Sequence, residues 1–232
     1  MKLLTVGDSF TYGDELMDRE TTAWPYLLSQ KLSCTVINKG VCGSSNWKMV
    51  RSLLEEDLKD INLIIIGWSG FDRIEVADEY GIFDTFPGAN KNELRIPSSE
   101  VKWRTILIDY VNRHYNDNYL YRQYLSYIIL VQSYLKLFNK KYIMLDAWLN
   151  HEYPGRVNTD NKDLISQIDT KNFLGWPNES MMEWTAGIKR GPKKHFLNVG
   201  HQVVANKIYE HISLDNYPDS CYNSNKTGHP RP

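Results

Sequence analysis

The sequence contains few of the features that direct a protein to a membrane, a polyanion or an oxidising compartment. Only three of its 232 residues are cysteines, Cys34, Cys42 and Cys221, an odd number without metal-ligand spacing. This favours reduced thiols over a disulfide framework or a zinc site. With 27 basic and 28 acidic residues the net charge is -1, which argues against nucleic acid as the main partner. Apolar runs such as 63–66 and 127–131 are far shorter than the roughly 20 residues of a membrane span.

The length and the two ends of the chain also limit the possibilities. One lysine precedes the apolar run Leu3–Val6, which leaves no room for a signal peptide, so we expect a cytoplasmic protein. A chain of this size favours one domain over two, here residues 1–214. Residues 215–232 are rich in Asn, Ser and Pro with little to bury, and we expect a flexible tail there.

Four short apolar runs alternate with helical patterns. The runs are predicted strands: Leu3–Val6, Thr35–Asn38, Leu63–Ile66 and Tyr142–Leu145. The predicted helices are one with Pro25 in its first turn that runs to about Leu32, one capped by Ser44 or Ser45, one from about Tyr119 to Phe138, and one after Asn198. Strands alternating with helices predict a parallel sheet, and therefore an α/β fold of three layers, α/β/α.

Two stretches interrupt this alternation, residues 73–118 and 148–193. Both are rich in Asn, Asp, Pro, Gly, Trp and Tyr and lack clean periodicity, which is typical of loop-rich insertions. We expect them to lie over the end of the sheet where the strands have their carboxyl ends, because ligands bind there in open α/β sheets.

Gly7-Asp8-Ser9 follows the first predicted strand directly. A tight turn at a strand end can raise a serine hydroxyl out of the sheet and aim backbone N–H groups at one point, as a nucleophile and its oxyanion require. Asp, Ser and Gly also occupy turns for local hydrogen-bonding reasons. The motif alone therefore leaves both interpretations open.

Two further segments follow predicted strands. In the first, which runs from Asn38 to Asn46, Gly43 N–H is a candidate oxyanion donor next to a helix start. In the second, Ser69 is a candidate hydroxyl donor after Gly67-Trp68. Beyond it, Arg73 and Glu75 either bind substrate or pair with each other.

Two histidines near the last helix have different expected roles. His195 lies in the loop before Asn198 and is free to face a site at the strand ends. His201 falls in the first helical turn on the same face as Val204 and Ala205, which favours a buried, hydrogen-bonded packing role. His195 is therefore the better candidate for a general base.

Together these motifs resemble the SGNH, or GDSL-type, hydrolases. The resemblance rests on Gly7-Asp8-Ser9, on Asn38 to Gly43 with Asn46, on the segment opened by Gly67, and on His195 with Gly200-His201. It implies the flavodoxin-like α/β/α fold of that family. It also implies that Ser9 is the nucleophile and an oxyanion donor, that Gly43 is the second donor, and that His195 is the base.

Two positions depart from the family pattern. Ser69 stands where the family has an asparagine that acts as the third oxyanion donor, and Pro192 stands where the family has the acid that orients the histidine. We expect the Ser69 hydroxyl to replace the amide. Asp146 or Glu183 could replace the acid, or a backbone carbonyl could hold His195 in a Ser-His dyad.

The sequence thus predicts a serine esterase for small acyl esters, with O-acetylated sugars among the substrates and no metal or organic cofactor. Asp8, Asn46, Trp68 and Arg73 are candidate substrate-binding residues. The alternative is a catalytically inactive SGNH-like domain that binds a carbohydrate or a protein partner. A nucleotide-binding α/β protein is a third interpretation, but neither Gly-x-Gly-x-x-Gly nor a Gly-Lys-Ser/Thr phosphate loop is present.

Overall fold

The computed structural model of the chain describes residues 1–78, 81–85, 106, 109, 113, 116–150 and 161–214. The expected tail at 215–232, most of the first insertion and residues 151–160 of the second lie outside the described residues. None of the described helices combines the length and the apolar character that crossing a membrane requires.

A four-stranded parallel sheet forms the centre of the fold, in the order β2-β1-β3-β6. Its strands are β1 (Lys2–Gly7), β2 (Thr35–Gly40), β3 (Leu63–Trp68) and β6 (Tyr142–Asp146). All four predicted strands are confirmed, and each continues one or two residues past its predicted end. The extra residues are glycine, tryptophan or polar residues, which interrupt an apolar run but can still make ladder hydrogen bonds.

Helices cover both faces of the sheet. The described helices are α1 (Ser9–Tyr12), α2 (Arg19–Thr22), α3 (Trp24–Lys31), α4 (Asn46–Leu54), α5 (Asp117–Leu137), α6 (Lys162–Ile165), α7 (Met181–Trp184) and α8 (Asn198–Leu214). Ser45 caps α4, since its hydroxyl accepts from Lys48 N–H at 3.2 Å. Asn116 caps α5 by accepting from Tyr119 N–H, so this helix begins two residues before the predicted start.

The alternation of side chains along the strands produces two cores. On one face, Leu4, Val6, Ile64 and Ile66 pack with apolar residues of α4 and α5. On the other, Leu3, Ile65, Ile143 and Leu145 pack with α3 and α8. Successive side chains of a strand point to opposite faces, and in this sheet both faces are apolar because both are covered. The fold is therefore the expected three-layer α/β/α.

The first insertion begins with an antiparallel hairpin that the sequence pattern did not predict. Strands β4 (Ile74–Asp78) and β5 (Gly81–Thr85) form it. The Asp84 carboxylate accepts from Ser45 N–H at 2.9 Å and pairs with Lys48 at 2.9 Å. These polar contacts fasten the hairpin to the start of α4, next to the strand ends. The second insertion contributes α6, a 3₁₀ turn at Thr170–Asn172 and α7.

Three glycines lie side by side at the ends of the central strands. Gly7 is in register with Gly40 on one side and with Gly67 on the other. A Cβ at Gly7 would lie 2.0 Å from the Thr11 hydroxyl, and one at Gly40 would lie 2.4 Å from the Tyr12 backbone. Helix α1 therefore lies directly against the end of the sheet, which sets the position of the residue that begins it.

Candidate active site

Ser9 is the first residue of α1, immediately beyond β1. Asp8 caps this short helix, because its carboxylate accepts from Phe10 N–H at 2.9 Å. Gly13 ends the helix in the left-handed region, with φ +86°, and donates to the Ser9 carbonyl. Caps at both ends hold the serine in one place, with 2% of its surface exposed. Ser9 is thus a recessed serine on a fixed turn.

The structure brings the predicted nucleophile and base together. His195 Nε2 lies 2.9 Å from Ser9 Oγ, which is hydrogen-bond distance. The Phe10 ring packs on one side of the imidazole, with its centroid 5.3 Å from that of His195. A candidate base must first be within reach of the proton that it accepts, and His195 meets this condition in the described structure.

The other ring nitrogen of His195 faces a carboxylate that the sequence analysis missed. Glu15 Oε2 lies 3.1 Å from His195 Nδ1, and Asp14 Oδ2 lies 3.7 Å away. Serine, imidazole and carboxylate therefore form one continuous hydrogen-bonded chain, which is the arrangement of a Ser-His-acid triad. The acid comes from the loop after α1, not from the position of Pro192.

The loop that carries His195 wraps around Glu15. The Glu15 carboxylate accepts from Lys193 N–H at 2.9 Å and from His195 N–H at 3.1 Å. A Cβ at Gly191 would lie 2.6 Å from the Glu15 carboxyl carbon, so a side chain there would displace the acid. Partial burial raises the pKa of Glu15, but these hydrogen bonds and the His195 charge outweigh it, and the pKa is lowered.

Asp146 and Glu183, the expected candidates for this acid, lie elsewhere. Asp146 accepts from the Tyr124 hydroxyl at 2.5 Å and from the Asn150 amide at 2.9 Å. Glu183 is hydrogen-bonded to the Ser180 hydroxyl that caps α7. The expectation was wrong because it considered acids at the end of the fourth strand and in the second insertion. Only the tertiary fold reveals that Glu15 meets a loop 180 residues away.

Two backbone N–H groups are available for an oxyanion. Among the described residues, neither Ser9 N–H nor Gly43 N–H donates to any acceptor. Gly43 has φ +78°, a conformation that favours glycine because a Cβ is strained there. Ser9 and Gly43 therefore each have a free backbone donor, the kind of group that stabilises a tetrahedral intermediate.

Ser69 does not face this position, contrary to our expectation. Its hydroxyl donates to Asp8 Oδ2 at 2.9 Å, and its N–H donates to the Asn46 side chain at 2.9 Å. A hydroxyl has one hydrogen to donate, and here it satisfies a buried carboxylate. Ser69 is therefore a structural partner of Asp8 and not an oxyanion donor in this structure.

The same network of buried hydrogen bonds occupies Asn46 and Asp8, two of the candidate substrate-binding residues. Asn46 is buried, and its amide donates to the carbonyls of Ser69 and Gly70. Asn150 supports the next residue by accepting from Phe71 N–H at 3.0 Å. Burial raises the pKa of Asp8, although the Arg73 charge and hydrogen bonds from Phe10 and Ser69 oppose it. These buried groups hold the β3 loop together and are not available to a substrate.

Of the two remaining substrate-binding candidates, Trp68 lies in the protein core and Arg73 lies near the site. Trp68 is fully buried in edge-to-face contact with Tyr124. Arg73 is half-buried, and its Nη1 lies 3.9 Å from the position of a Cβ on Gly43. Glu75 forms an ion pair with Arg51 instead of Arg73.

His201 has the packing role that its helix position predicted. It is 1% exposed, and its Nδ1 accepts from Trp24 N–H at 3.2 Å. Trp24 begins α3, and its N-cap Ala23 has no side chain that could accept a hydrogen bond. Burial and the charge of His195 lower the pKa of His201 to about 3. A neutral imidazole therefore caps α3 from the opposite end of the chain.

The described residues contain neither a disulfide bond nor a group of side chains that could bind a metal ion. Cys34 is half-buried and Cys42 is exposed, and both are free thiols. No three His, Cys, Asp or Glu side chains of the described residues lie close enough together to hold a metal ion. Cys221 lies outside the described residues.

Solved structures with this architecture include several esterases. A psychrotrophic esterase from Pseudoalteromonas sp. aligns with a TM-score of 0.51 and 14% identity, over 92% of this chain and 97% of that one. An alpha/beta hydrolase enzyme from the metagenome of Lake Arreo, Spain, aligns with a TM-score of 0.52 and 14% identity, over 91% and 94%. A two-domain esterase active on acetylated mannans aligns with a TM-score of 0.51 and 16% identity, over all of this chain and 53% of that one.

These alignments establish the fold, which is the α/β fold of the SGNH hydrolases. Identity this low says nothing by itself about the reaction. The chain belongs to the Family of unknown function (DUF6071), whose model matches residues 11–219. No curated protein matches the sequence.

Proposed function

We propose that this protein is a serine hydrolase that cleaves small carboxylic esters. The observation that carries the proposal is the pair of hydrogen bonds on the His195 ring, to Ser9 Oγ at 2.9 Å and to Glu15 Oε2 at 3.1 Å. Each ring nitrogen has the partner that nucleophilic catalysis requires: a hydroxyl to deprotonate on one side and a carboxylate on the other. This role of Glu15 replaces that first expected of Asp146 or Glu183.

In the first half of the reaction His195 Nε2 takes the Ser9 proton as Oγ attacks the ester carbonyl. The N–H groups of Ser9 and Gly43 donate to the oxygen that gains negative charge, and Glu15 stabilises the imidazolium. His195 then gives its proton to the leaving alcohol, which produces an acyl-enzyme at Ser9. In the second half His195 deprotonates a water that attacks the acyl carbon. The carboxylic acid product is released, and His195 returns the proton to Ser9 Oγ.

A groove beside the triad suits a small substrate. Its volume is about 670 Å³, which is within the range of small-molecule sites. The groove adjoins the acid of the triad but does not include Ser9 or His195, and its lining residues are Glu15, Met17, Asp18, Thr22, Ile188, Lys189, Leu197, Asn198 and Val199. We propose short acyl esters as the substrate class, with acetylated carbohydrates among them. The two-domain structural neighbour that acts on acetylated mannans is consistent with this choice.

The test is hydrolysis of p-nitrophenyl acetate by wild type, Ser9→Ala and Ser29→Ala. Ser29 is a matched control, because its hydroxyl donates to the Tyr26 carbonyl within α3. We expect Ser9→Ala to lower kcat by at least about 10⁴-fold and Ser29→Ala to leave it within about threefold. Reaction with a fluorophosphonate should place the label on the peptide that contains Ser9. Equal turnover by wild type and Ser9→Ala, or no turnover and no label in wild type, would overturn the proposal. The second result would favour an inactive binding domain.

A further inference from the structure

We infer that Arg73 supplies the third oxyanion-stabilising group of this site. The inference rests on the proposed hydrolase function and assigns a further catalytic residue to it. One of the three expected oxyanion donors, the Ser69 hydroxyl, is missing from the site. The Ser69 hydroxyl donates to Asp8 and its N–H donates to Asn46, so Ser69, the residue expected to be the third donor, gives no free donor to the substrate oxygen.

Arg73 lies next to Gly43 and close enough to Asp8 for its charge to act on that carboxyl. Its Nη1 is 3.9 Å from the position of a Cβ on Gly43, the residue whose N–H is free. Its side chain has no hydrogen-bond or ion-pair partner among the described residues, and Glu75, the nearest acid in sequence beyond Asp72, is taken by Arg51. A half-buried guanidinium that makes no hydrogen bond to a described residue, close to a free N–H, can turn its donors toward an anion.

The backbone of Arg73 is held in place by the same contacts that occupy Ser69. Arg73 N–H donates to the Gly70 carbonyl at 3.1 Å, which closes a turn. The Asn46 amide also donates to that carbonyl, at 3.2 Å, and the Asn150 side chain accepts from Phe71 N–H. The backbone from which the cation extends is therefore braced by hydrogen bonds.

The chemistry of arginine suits this role. A guanidinium is charged at every pH of interest and has five N–H donors, so it can donate to an oxygen that becomes negative in the transition state. Such a donor stabilises the transition state more than the neutral ester. Loss of it should therefore lower kcat and leave KM nearly unchanged.

A purely structural role for Arg73 makes a different prediction. Its charge lowers the pKa of the buried Asp8 carboxyl against the effect of burial, so Arg73 could serve as a countercharge alone. In that case removing the charge should lower the melting temperature and leave kcat per folded molecule unchanged. The two roles are thus separable by measuring both quantities.

The experiment compares Arg73→Gln, Arg73→Lys and the control Lys39→Gln with wild type and Ser9→Ala. Lys39 is a surface cation that pairs with Glu56. With p-nitrophenyl acetate we expect Arg73→Gln to lower kcat by about 10²-fold, with KM within about threefold. Arg73→Lys should retain at least a tenth of the wild-type kcat, and Lys39→Gln should match wild type. The rate of fluorophosphonate labelling at Ser9 should fall in parallel with kcat, since the phosphonyl oxygen occupies the same position.

Several results would overturn the inference. If Arg73→Gln keeps kcat within about threefold of wild type while Ser9→Ala is inactive, the proposed hydrolase function is supported and the proposed role of Arg73 is wrong. The role of Arg73 would also be wrong if Arg73→Gln raised KM alone, or lowered the melting temperature and left kcat unchanged. Equal turnover by wild type and Ser9→Ala would remove the proposed function and the inference together.

Discussion

Glu15 Oε2 and His195 Nδ1 lie 3.1 Å apart although 180 residues separate them in the sequence. This carboxylate completes the hydrogen-bonded chain from Ser9 through His195. If the chain is catalytic, the acid fixes the ring orientation and stabilises the positive charge that forms on it.

Glu15→Gln should therefore lower kcat strongly with little change in KM. We expect a decrease of about 10²- to 10⁴-fold, the upper limit being set by the effect of an Asp-to-Asn change in a serine protease triad. The measurement is steady-state hydrolysis of an aryl acetate. Asp14→Asn is the matched control, because that carboxylate lies 3.7 Å from Nδ1, and it should stay within about threefold of wild type. A Glu15→Gln enzyme as active as this control would exclude the assigned role of Glu15.

Gly191→Ala tests the same acid without changing it. The new Cβ would lie 2.6 Å from the Glu15 carboxyl carbon, so the carboxylate must move and kcat should fall toward the Glu15→Gln value. The double variant should be no worse than Glu15→Gln alone, since both changes remove one interaction. Gly187→Ala is the control. A Cβ at Gly187 meets no atom within 4 Å, so this change leaves Glu15 in place. Gly187, unlike Gly191, has a positive φ of +76°, so the control should lose some stability but keep its kcat per folded molecule. Additive losses in the double variant would show that Gly191 acts on something other than Glu15.

Ser69→Ala should affect stability more than activity. The substitution leaves the fully buried Asp8 carboxylate without one of its donors, which costs about 1–3 kcal/mol. Because the hydroxyl faces Asp8, kcat per folded molecule should stay within about threefold. Chemical denaturation and initial rates measured on one preparation give both quantities. A large fall in kcat with unchanged stability would restore the oxyanion role first expected of Ser69.

The two histidines near α8 should respond oppositely to the same substitution. His195→Asn removes the base and should abolish turnover with a small effect on the free energy of unfolding. His201→Asn removes the partner of Trp24 N–H from the core and should destabilise the fold while the remaining folded protein stays active. Melting curves and active-site titration with a fluorophosphonate separate the two effects. If His201→Asn were inactive although fully folded, the base assignment would have to be reconsidered.

His201 also makes the stability of the protein depend on pH. Its pKa is about 3 in the folded protein and about 6.5 in an unfolded chain. Between these values the unfolded chain binds a proton that the folded protein excludes. The free energy of unfolding contributed by His201 is therefore complete above pH 6.5 and falls as the pH decreases through this window, by up to about 1.4 kcal/mol per pH unit. Urea denaturation from pH 8 to 4 should show a shallower decline for His201→Asn. Equal slopes for the two proteins would contradict this account.

The sheet and its helices could be predicted because their signals are local. Strands β1, β3 and β6 are apolar runs buried on both faces, and β2 is a partly buried run at the edge of the sheet. Pro25 and Ser45 mark helix starts by chemistry that depends on adjacent residues. The β4–β5 hairpin was missed because its polar residues gain their partners from α4: Asp84 from Ser45 and Lys48, and Glu75 from Arg51. Such pairings depend on tertiary contacts that no local pattern encodes.

The proximity of Ser9 and His195 could be predicted from the sequence, but the contact of His195 with Glu15 could not. Ser9 and His195 each belong to a motif at a strand end or helix start, where position suggests a role. Glu15 belongs to no such motif, and the signals for it were weak: an acidic pair directly after the helix-ending Gly13, and a glycine at 191. The role expected of Ser69 failed for a related reason. Whether a hydroxyl faces the substrate or a buried acid depends on the position of Asp8, which is a matter of side-chain orientation.

The long separation between Ser9 and His195 has a consequence for protein synthesis. During synthesis Ser9 and Glu15 leave the ribosome long before His195, so the hydrogen bonds that join the three side chains cannot form until then. The same late segment brings His201, which caps α3, and the apolar face of α8, which closes one of the two cores. The hydrogen-bonded chain at Ser9 and the closed core therefore form together, after residues 195–214 have been synthesised. A product truncated before His195 should be unstable and should lack the proposed esterase activity.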